Sequence, residues 1–148
     1  MAVEYTLSII KPDALEKRCV GAIMSRIENA GLKIVATKMT SISLEEACNF
    51  YEVHRGKPFY NALCTFMASG PIIAMVLEGE NAVSKYRALM GETNPLKASS
   101  GTIRGDFGKD VTEANRERNL VHGSDAVETA RSEIAFFFST LERLSVVQ

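Results

Sequence analysis

Asn119-Leu120-Val121-His122-Gly123-Ser124-Asp125 is the stretch in which the last strand of this chain gives way to its last helix. Leu120 and Val121 are aliphatic, as in a short buried strand that delivers the His122 imidazole to a cavity. Gly123 leaves that ring unshielded on one side. Asp125, followed three residues later by Glu128, has the spacing of a capping box with Asp in place of Ser or Thr, which predicts a helix start. A histidine at such a turn is held rigidly and remains open to a ligand. The chain has only two histidines, and a lone histidine is more often structural than catalytic, so the other segments decide.

Working outward, Tyr5 to Ile10 is short, apolar and β-rich, and it stops at Lys11-Pro12-Asp13. Proline keeps Lys11 extended and suits the first turn of a helix, which carries Ile23, Met24 and Ile27 and leaves at Ala30-Gly31. Lys33 to Ile42 is a second strand, and Ser43-Leu44-Glu45-Glu46 is a capping box for a helix through about Val53. Phe59, Leu63, Phe66 and Met67 share a helical spacing that Ser69-Gly70-Pro71 ends. Ile72 to Leu77 is an unbroken apolar run, expected as a central strand buried on both faces. Ala82 to Met90 is helical and closes at Gly91, whereas Glu92 to Arg118 has no strong period and reads as a long loop. A last helix runs from about Ala126, with Val127, Ala130, Ile134, Phe137, Phe138 and Leu141 inward.

This order predicts one α+β domain over residues 1–148, a ferredoxin-like βαββαβ sandwich. Four antiparallel strands are covered on one face, with added helices. A length of 148 residues suffices for a core without metal or disulfide staples. A net charge of -1 excludes a general attraction to nucleic acid or anionic membrane, so a polyanionic substrate needs a local cluster of cations. Cys19, Cys48 and Cys64 are odd in number and form no CxxC pair, which points to free thiols in a reducing, cytoplasmic compartment. The opening residues lack a signal-peptide pattern, and no run approaches a membrane span.

Lys11 stands extended before a helix N-terminus, a favourable place for an anion. Arg87 precedes the long loop, and Arg104 lies in it between Thr102 and Gly105. Individually each cation reads as a solvated surface charge; their places beside turns are what mark them. Gly56-Lys57 is followed by Pro58 and is no Walker motif, and Gly101, Gly105 and Gly108 do not space as a Rossmann fingerprint. No ligand-spaced cysteines accompany the histidines, so no protein metal site is expected. Ser124, His122 and Asp125 are too close in sequence to face one another as a triad.

Further segments carry a resemblance: Ile9-Ile10-Lys11-Pro12-Asp13-Ala14, Gly56-Lys57-Pro58-Phe59, Ser69-Gly70-Pro71, Val76 to Ala82, Gly101-Thr102-Ile103-Arg104-Gly105-Asp106-Phe107 and His122-Gly123-Ser124-Asp125. In this order, from about Glu4 to Phe138, the chain resembles the nucleoside diphosphate kinase family. The resemblance implies ping-pong transfer of a γ-phosphate from a nucleoside triphosphate to His122 and on to a nucleoside diphosphate. Imidazole titrates near pH ~6.5 in model peptides, so neutral nucleophilic rings are abundant at neutral pH. By matching position, Lys11, Tyr51, Arg87, Thr93 and Arg104 would surround the phosphates, with Mg²⁺ held by phosphate oxygens and water. Phe59 would stack on the base beside Leu63 and Val111, while Asn119 and Lys11 would bind ribose hydroxyls. Glu133 would fix the His122 tautomer with support from Ser124, and the family implies a homo-oligomer, hexamer or tetramer.

The chain departs from the common pattern in the polar stretch Thr112 to Arg118, which adds five residues between Val111 and Asn119. Asn115 thereby rivals Asn119 for the ribose, although the Asn-x-x-His spacing favours Asn119. Glu92 puts an acid before Thr93, and Val53 and Ala126 stand where an acid and a serine are usual. Three other functions compete. A scaffold role would predict loss of His122, Lys11 or Arg104, and all are present. Nucleic-acid binding lacks a basic stripe or an aromatic row. A phosphocarrier fed by another protein would not need Phe59 and Thr93.

Overall fold

The computed structural model describes residues 3–143. Four strands, β1 (Val3–Ile10), β2 (Lys33–Thr40), β3 (Ile72–Glu80) and β4 (Val121–Gly123), form one antiparallel sheet in the order β2-β3-β1-β4. That is the α+β, ferredoxin-like arrangement expected. Among the described residues, seven α-helices accompany it: α1 (Pro12–Glu16), α2 (Val20–Asn29), α3 (Leu44–Phe50), α4 (Tyr60–Met67), α5 (Ala82–Met90), α6 (Ile103–Phe107) and α7 (Val127–Phe137).

Both faces of the sheet are covered, not one. Alternation along β1 and β3 sends Leu7, Ile9, Ile72, Ala74 and Val76 into a core with α3, α4 and α7. Ile10, Ile73, Met75 and Leu77 enter a second core with α2 and α5. The added helices thus supply the second layer, which is why the central strand reads as continuously apolar.

Other boundaries shift for local reasons. The first helix is two: Arg18 has φ +57°, and the amide of Cys19 returns to the Ala14 carbonyl at 3.1 Å, closing α1 before α2 begins. The Ser43 box forms as read, with Ser43 Oγ accepting the Glu46 amide at 3.0 Å and Glu46 Oε1 accepting the Ser43 amide at 2.8 Å. Its helix ends at Phe50 and a 3-10 turn, Glu52–His54, follows. The stretch read as a loop holds α6, which Thr102 caps by accepting the Gly105 amide at 3.0 Å. Asp125 caps nothing: α7 starts at Val127, and Thr129 Oγ1 accepts the Ala126 amide at 3.0 Å. Ala130, Ile134, Phe137 and Phe138 are buried as read, but Leu141 lies beyond the helix and is exposed.

Candidate active site

Strand register fixes which way His122 faces. It pairs with Ile9, whose side chain enters the α3/α4/α7 core, whereas its neighbours Val121 and Gly123 pair with Ile10 and Ser8. His122 therefore meets α3 and α7, and Gly123 meets α5. A Cβ on Gly123 would lie 2.7 Å from Met90 and 2.8 Å from the Tyr86 ring, so the glycine is needed for helix packing as well as for an open imidazole.

His122 Nε2 lies 2.9 Å from Glu133 Oε1. Ser124 Oγ donates to the same carboxylate oxygen at 2.7 Å and accepts the Leu7 amide at 3.2 Å, which anchors Ser124 to β1. Burial alone would raise the Glu133 carboxyl, but the hydrogen bonds and charge of His122, with the Ser124 hydroxyl, outweigh it and hold the carboxyl below its ordinary range. His122 Nδ1 has no hydrogen-bond partner among the described residues. Phe50 and Tyr51 set their rings against the imidazole at 5.3 and 5.8 Å, both edge-on. The Tyr51 hydroxyl is buried without a partner among the described residues, and burial, with Glu133 nearby, pushes its ionisation up, so it is a neutral donor.

The cations stand in different states. Lys11 is buried, and its Nζ donates to Asn119 Oδ1 at 2.7 Å; Asn119 Nδ2 in turn donates to the Thr93 carbonyl at 2.9 Å. Arg104 is buried too, and it donates to the carbonyls of Asn119, Gly91 and Val121 at 3.0, 3.1 and 2.7 Å. Five guanidinium N–H groups exist, so two have no partner among the described residues. Arg87 is exposed and pairs with Asp125 at 2.7 Å. Lys11, Arg104, Asn119, Thr93 and His122 are thus linked through β4 and its approach. Asn115 is engaged locally instead, its Oδ1 accepting the Thr112 amide at 2.7 Å.

Phe59 is half exposed and tilts against His54 at 5.1 Å. Leu63 packs in the core with α7, while Val111 is buried but joins neither core cluster. The added stretch is mostly exposed; Arg116 pairs with Glu113, and Arg118 reaches Glu16 at 3.4 Å and the Phe66 ring at 5.0 Å. Val53 and Glu92 are exposed. Reading the residues missed Phe50, which has no signal beyond adjacency to Tyr51, and the Asp125 partner of Arg87.

Among the described residues, no cluster of three or more His, Cys, Asp and Glu side chains is placed to hold a metal. Glu133 and Asp125 are engaged by His122, Ser124 and Arg87, and Lys11, Tyr51, Thr93, Arg104 and Asn119 are neutral or cationic, which suits a phosphate-borne ion and not a protein cage. The three cysteines are free thiols, and no described helix is long and apolar enough to cross a membrane.

A partly buried imidazole, hydrogen-bonded to a carboxylate and carried on a strand that a buried arginine holds by its carbonyls, has the make-up of a phosphotransferase site. The family model for nucleoside diphosphate kinase matches residues 4–143. A nucleoside diphosphate kinase of Wolbachia sp. subsp. Drosophila simulans (strain wRi) is 55% identical over 142 residues, covering 96% of this chain and 99% of its own. One of Francisella tularensis subsp. mediasiatica (strain FSC147) is also 55% identical, covering 96% and 98%. Among solved structures, the nucleoside diphosphate kinase of Aquifex aeolicus superposes with TM-score 0.88 at 44% identity, covering 95% of this chain and 99% of that one. That of Halobacterium salinarum, in complex with CDP, gives 0.88 at 41%, covering 95% and 91%. The chain belongs to the nucleoside diphosphate kinase family and is a nucleotide-binding phosphotransferase.

Proposed function

We propose that this single-domain enzyme moves the γ-phosphate of a nucleoside triphosphate to a nucleoside diphosphate by a Mg²⁺-dependent ping-pong reaction through a phosphohistidine on His122. The observation that carries this is the 2.9 Å contact of His122 Nε2 with Glu133, which commits one ring nitrogen and leaves Nδ1 for the substrate. Nδ1 forms a bond to the γ-phosphorus as the bond from phosphorus to the β-γ bridging oxygen breaks, and the diphosphate leaves with that oxygen. Positive charge developing on the ring is offset by Glu133, which Ser124 holds in place. The incoming diphosphate reverses the step.

Lys11, Arg87, Arg104, Thr93 and the Tyr51 hydroxyl contact the phosphates, as alignment and charge stabilisation demand. Lys11 and Asn119, already joined, meet the ribose. Phe59 stacks on the base beside Leu63 and Val111. The relative solved with CDP supports a diphosphate occupant of this class. Magnesium supplies charge neutralisation on the phosphates; Lys11 and the arginines hold the same phosphates from the protein side. We place the enzyme in the cytoplasm as a homo-oligomer, hexamer or tetramer, with nucleotides and not nucleic acid as its main partners.

Stacking accepts any base. Purine and pyrimidine diphosphates, ribo and deoxy, should exchange phosphate with ATP within a roughly tenfold to hundredfold spread in specificity constant. A strict requirement for one base would contradict the apolar slot.

A further inference from the structure

Leu120, two residues before His122, is wholly buried and has φ +76°, the left-handed region that a leucine side chain disfavours. The Val121 amide donates to the Asn119 carbonyl at 2.9 Å, closing a three-residue turn around it. Strain of this kind persists only where surrounding groups over-determine the backbone, and it concentrates at functional sites.

Here the surrounding groups are identifiable. Arg104 binds the carbonyls on either side, Asn119 at 3.0 Å and Val121 at 2.7 Å. The Lys11 amide donates to the Leu120 carbonyl at 2.9 Å. The remaining group, the Leu120 amide, donates to Asp13 Oδ2 at 3.1 Å. Asp13 is 1% exposed, and its other oxygen has no partner among the described residues. Burying a half-satisfied carboxylate opposes folding. Burial pushes the Asp13 carboxyl up, against the pull of the Lys11 ammonium. A side chain kept at such a cost to the fold, on the central amide of a strained turn, has work to do at that turn.

We propose that Asp13 is a positioning residue for phosphoryl transfer: by accepting the Leu120 amide it holds the left-handed turn that aims His122 at the phosphate. The proposal rests on His122 being the phosphoryl acceptor. It places Asp13 outside the nucleotide contacts, acting on the rate of transfer and not on binding.

The test is the single-turnover rate of His122 phosphorylation at saturating ATP, with KM and thermal unfolding measured beside it. Asp13→Ala should slow the step at least about tenfold with KM within about twofold of the parent. Asp13→Asn, which keeps an acceptor, should stay within about threefold. Glycine adopts the left-handed turn unaided, so Asp13→Ala should cost less than about threefold when made in Leu120→Gly. An unchanged rate in Asp13→Ala, a loss in Asp13→Asn as large as in Asp13→Ala, or an undiminished loss in the Leu120→Gly background would each overturn the proposal. Should Asp13→Ala alone not fold, Asp13→Asn decides, because it keeps the acceptor: a folded protein that labels His122 within about threefold of the parent supports the positioning role, and a roughly tenfold loss or failure to fold overturns it. Absence of label from His122 in the parent protein would instead sink the phosphohistidine reading and leave the turn geometry aside.

Discussion

Arg104 Nη2 donates to the Val121 carbonyl at 2.7 Å, so a guanidinium marked by its family position as a phosphate ligand also braces the strand that carries His122. Its bonds to Asn119 and Gly91 extend the brace to the approach of that strand and the exit of α5. Lysine offers one point charge and cannot span three carbonyls. Arg104→Lys should therefore lose about 1–3 kcal/mol of stability, as well as exchange activity, because buried carbonyls are left without donors. Urea denaturation checks this; unchanged stability would mean that Arg104 serves substrate alone.

Glu133 and Ser124 act on the other side of the ring. Glu133→Gln should slow His122 phosphorylation roughly tenfold to a hundredfold, since the neutral amide neither offsets imidazole charge nor fixes one tautomer. Ser124→Ala should also lower stability by about 1–3 kcal/mol, because the Leu7 amide loses its acceptor. Rapid-quench labelling and thermal melts separate the two effects. A Glu133→Gln enzyme with the parent rate would leave the ring oriented by packing against Phe50 and Tyr51.

Much of this site was legible in the sequence. Lys11, Asn119, His122, Ser124 and Glu133 sit beside turns or on a periodic helix, and their chemistry is carried by side chains that the family motifs mark. What could not be read is what the backbone does. Asp13 and Arg104 act by hydrogen bonds to main-chain amides and carbonyls, which leave no trace in residue pattern. The turn at Leu120 contains no glycine to announce it. Helix α6 has five residues, too few for a period. Covering of the sheet's second face depended on where α3, α4 and α7 pack, a tertiary choice that strand alternation leaves open. Asp125 had the spacing of a cap but finds a better partner in Arg87.

Lys11 gives the site a pH dependence. Burial, with the Arg104 charge adding to it, pushes its ammonium down to about 7, against opposition from Asp13 and Glu117. An unfolded lysine holds its proton to about 10.4. Between those values the unfolded chain binds more protons at this group, so its contribution to stability rises with pH; below the lower value both states are charged and the burial penalty stands in full. Phosphate beside Lys11 favours the charged form. Nucleotide binding at pH 8 should therefore take up a proton, seen by calorimetry in two buffers of different ionisation enthalpy, and Lys11→Met should abolish the uptake. Binding without proton uptake in the parent would contradict this.

The added stretch Thr112 to Arg118 is exposed over most of its length and buries little apolar surface. Its arginines engage Glu113, Glu16 and the Phe66 ring, and the Glu117 carbonyl lies 3.5 Å from Lys11 Nζ. Lengthening or shortening an exposed loop by a few residues changes closure entropy by only a fraction of a kcal/mol. Removing five residues while keeping Val111 and the Asn119-to-His122 spacing should preserve folding and leave exchange within about a few-fold of the parent. Loss of exchange in a folded, assembled protein would make this stretch part of the site.

Every role proposed for these residues depends on His122 carrying the phosphate between nucleotides. Brief exposure to γ-labelled ATP and Mg²⁺, followed by digestion and mass spectrometry, measures it directly. The expected result is an acid-labile, base-stable phosphate on His122 that transfers to an added diphosphate, lost in His122→Ala and kept in His54→Ala. Label confined to a serine, or full exchange activity in His122→Ala, would contradict it.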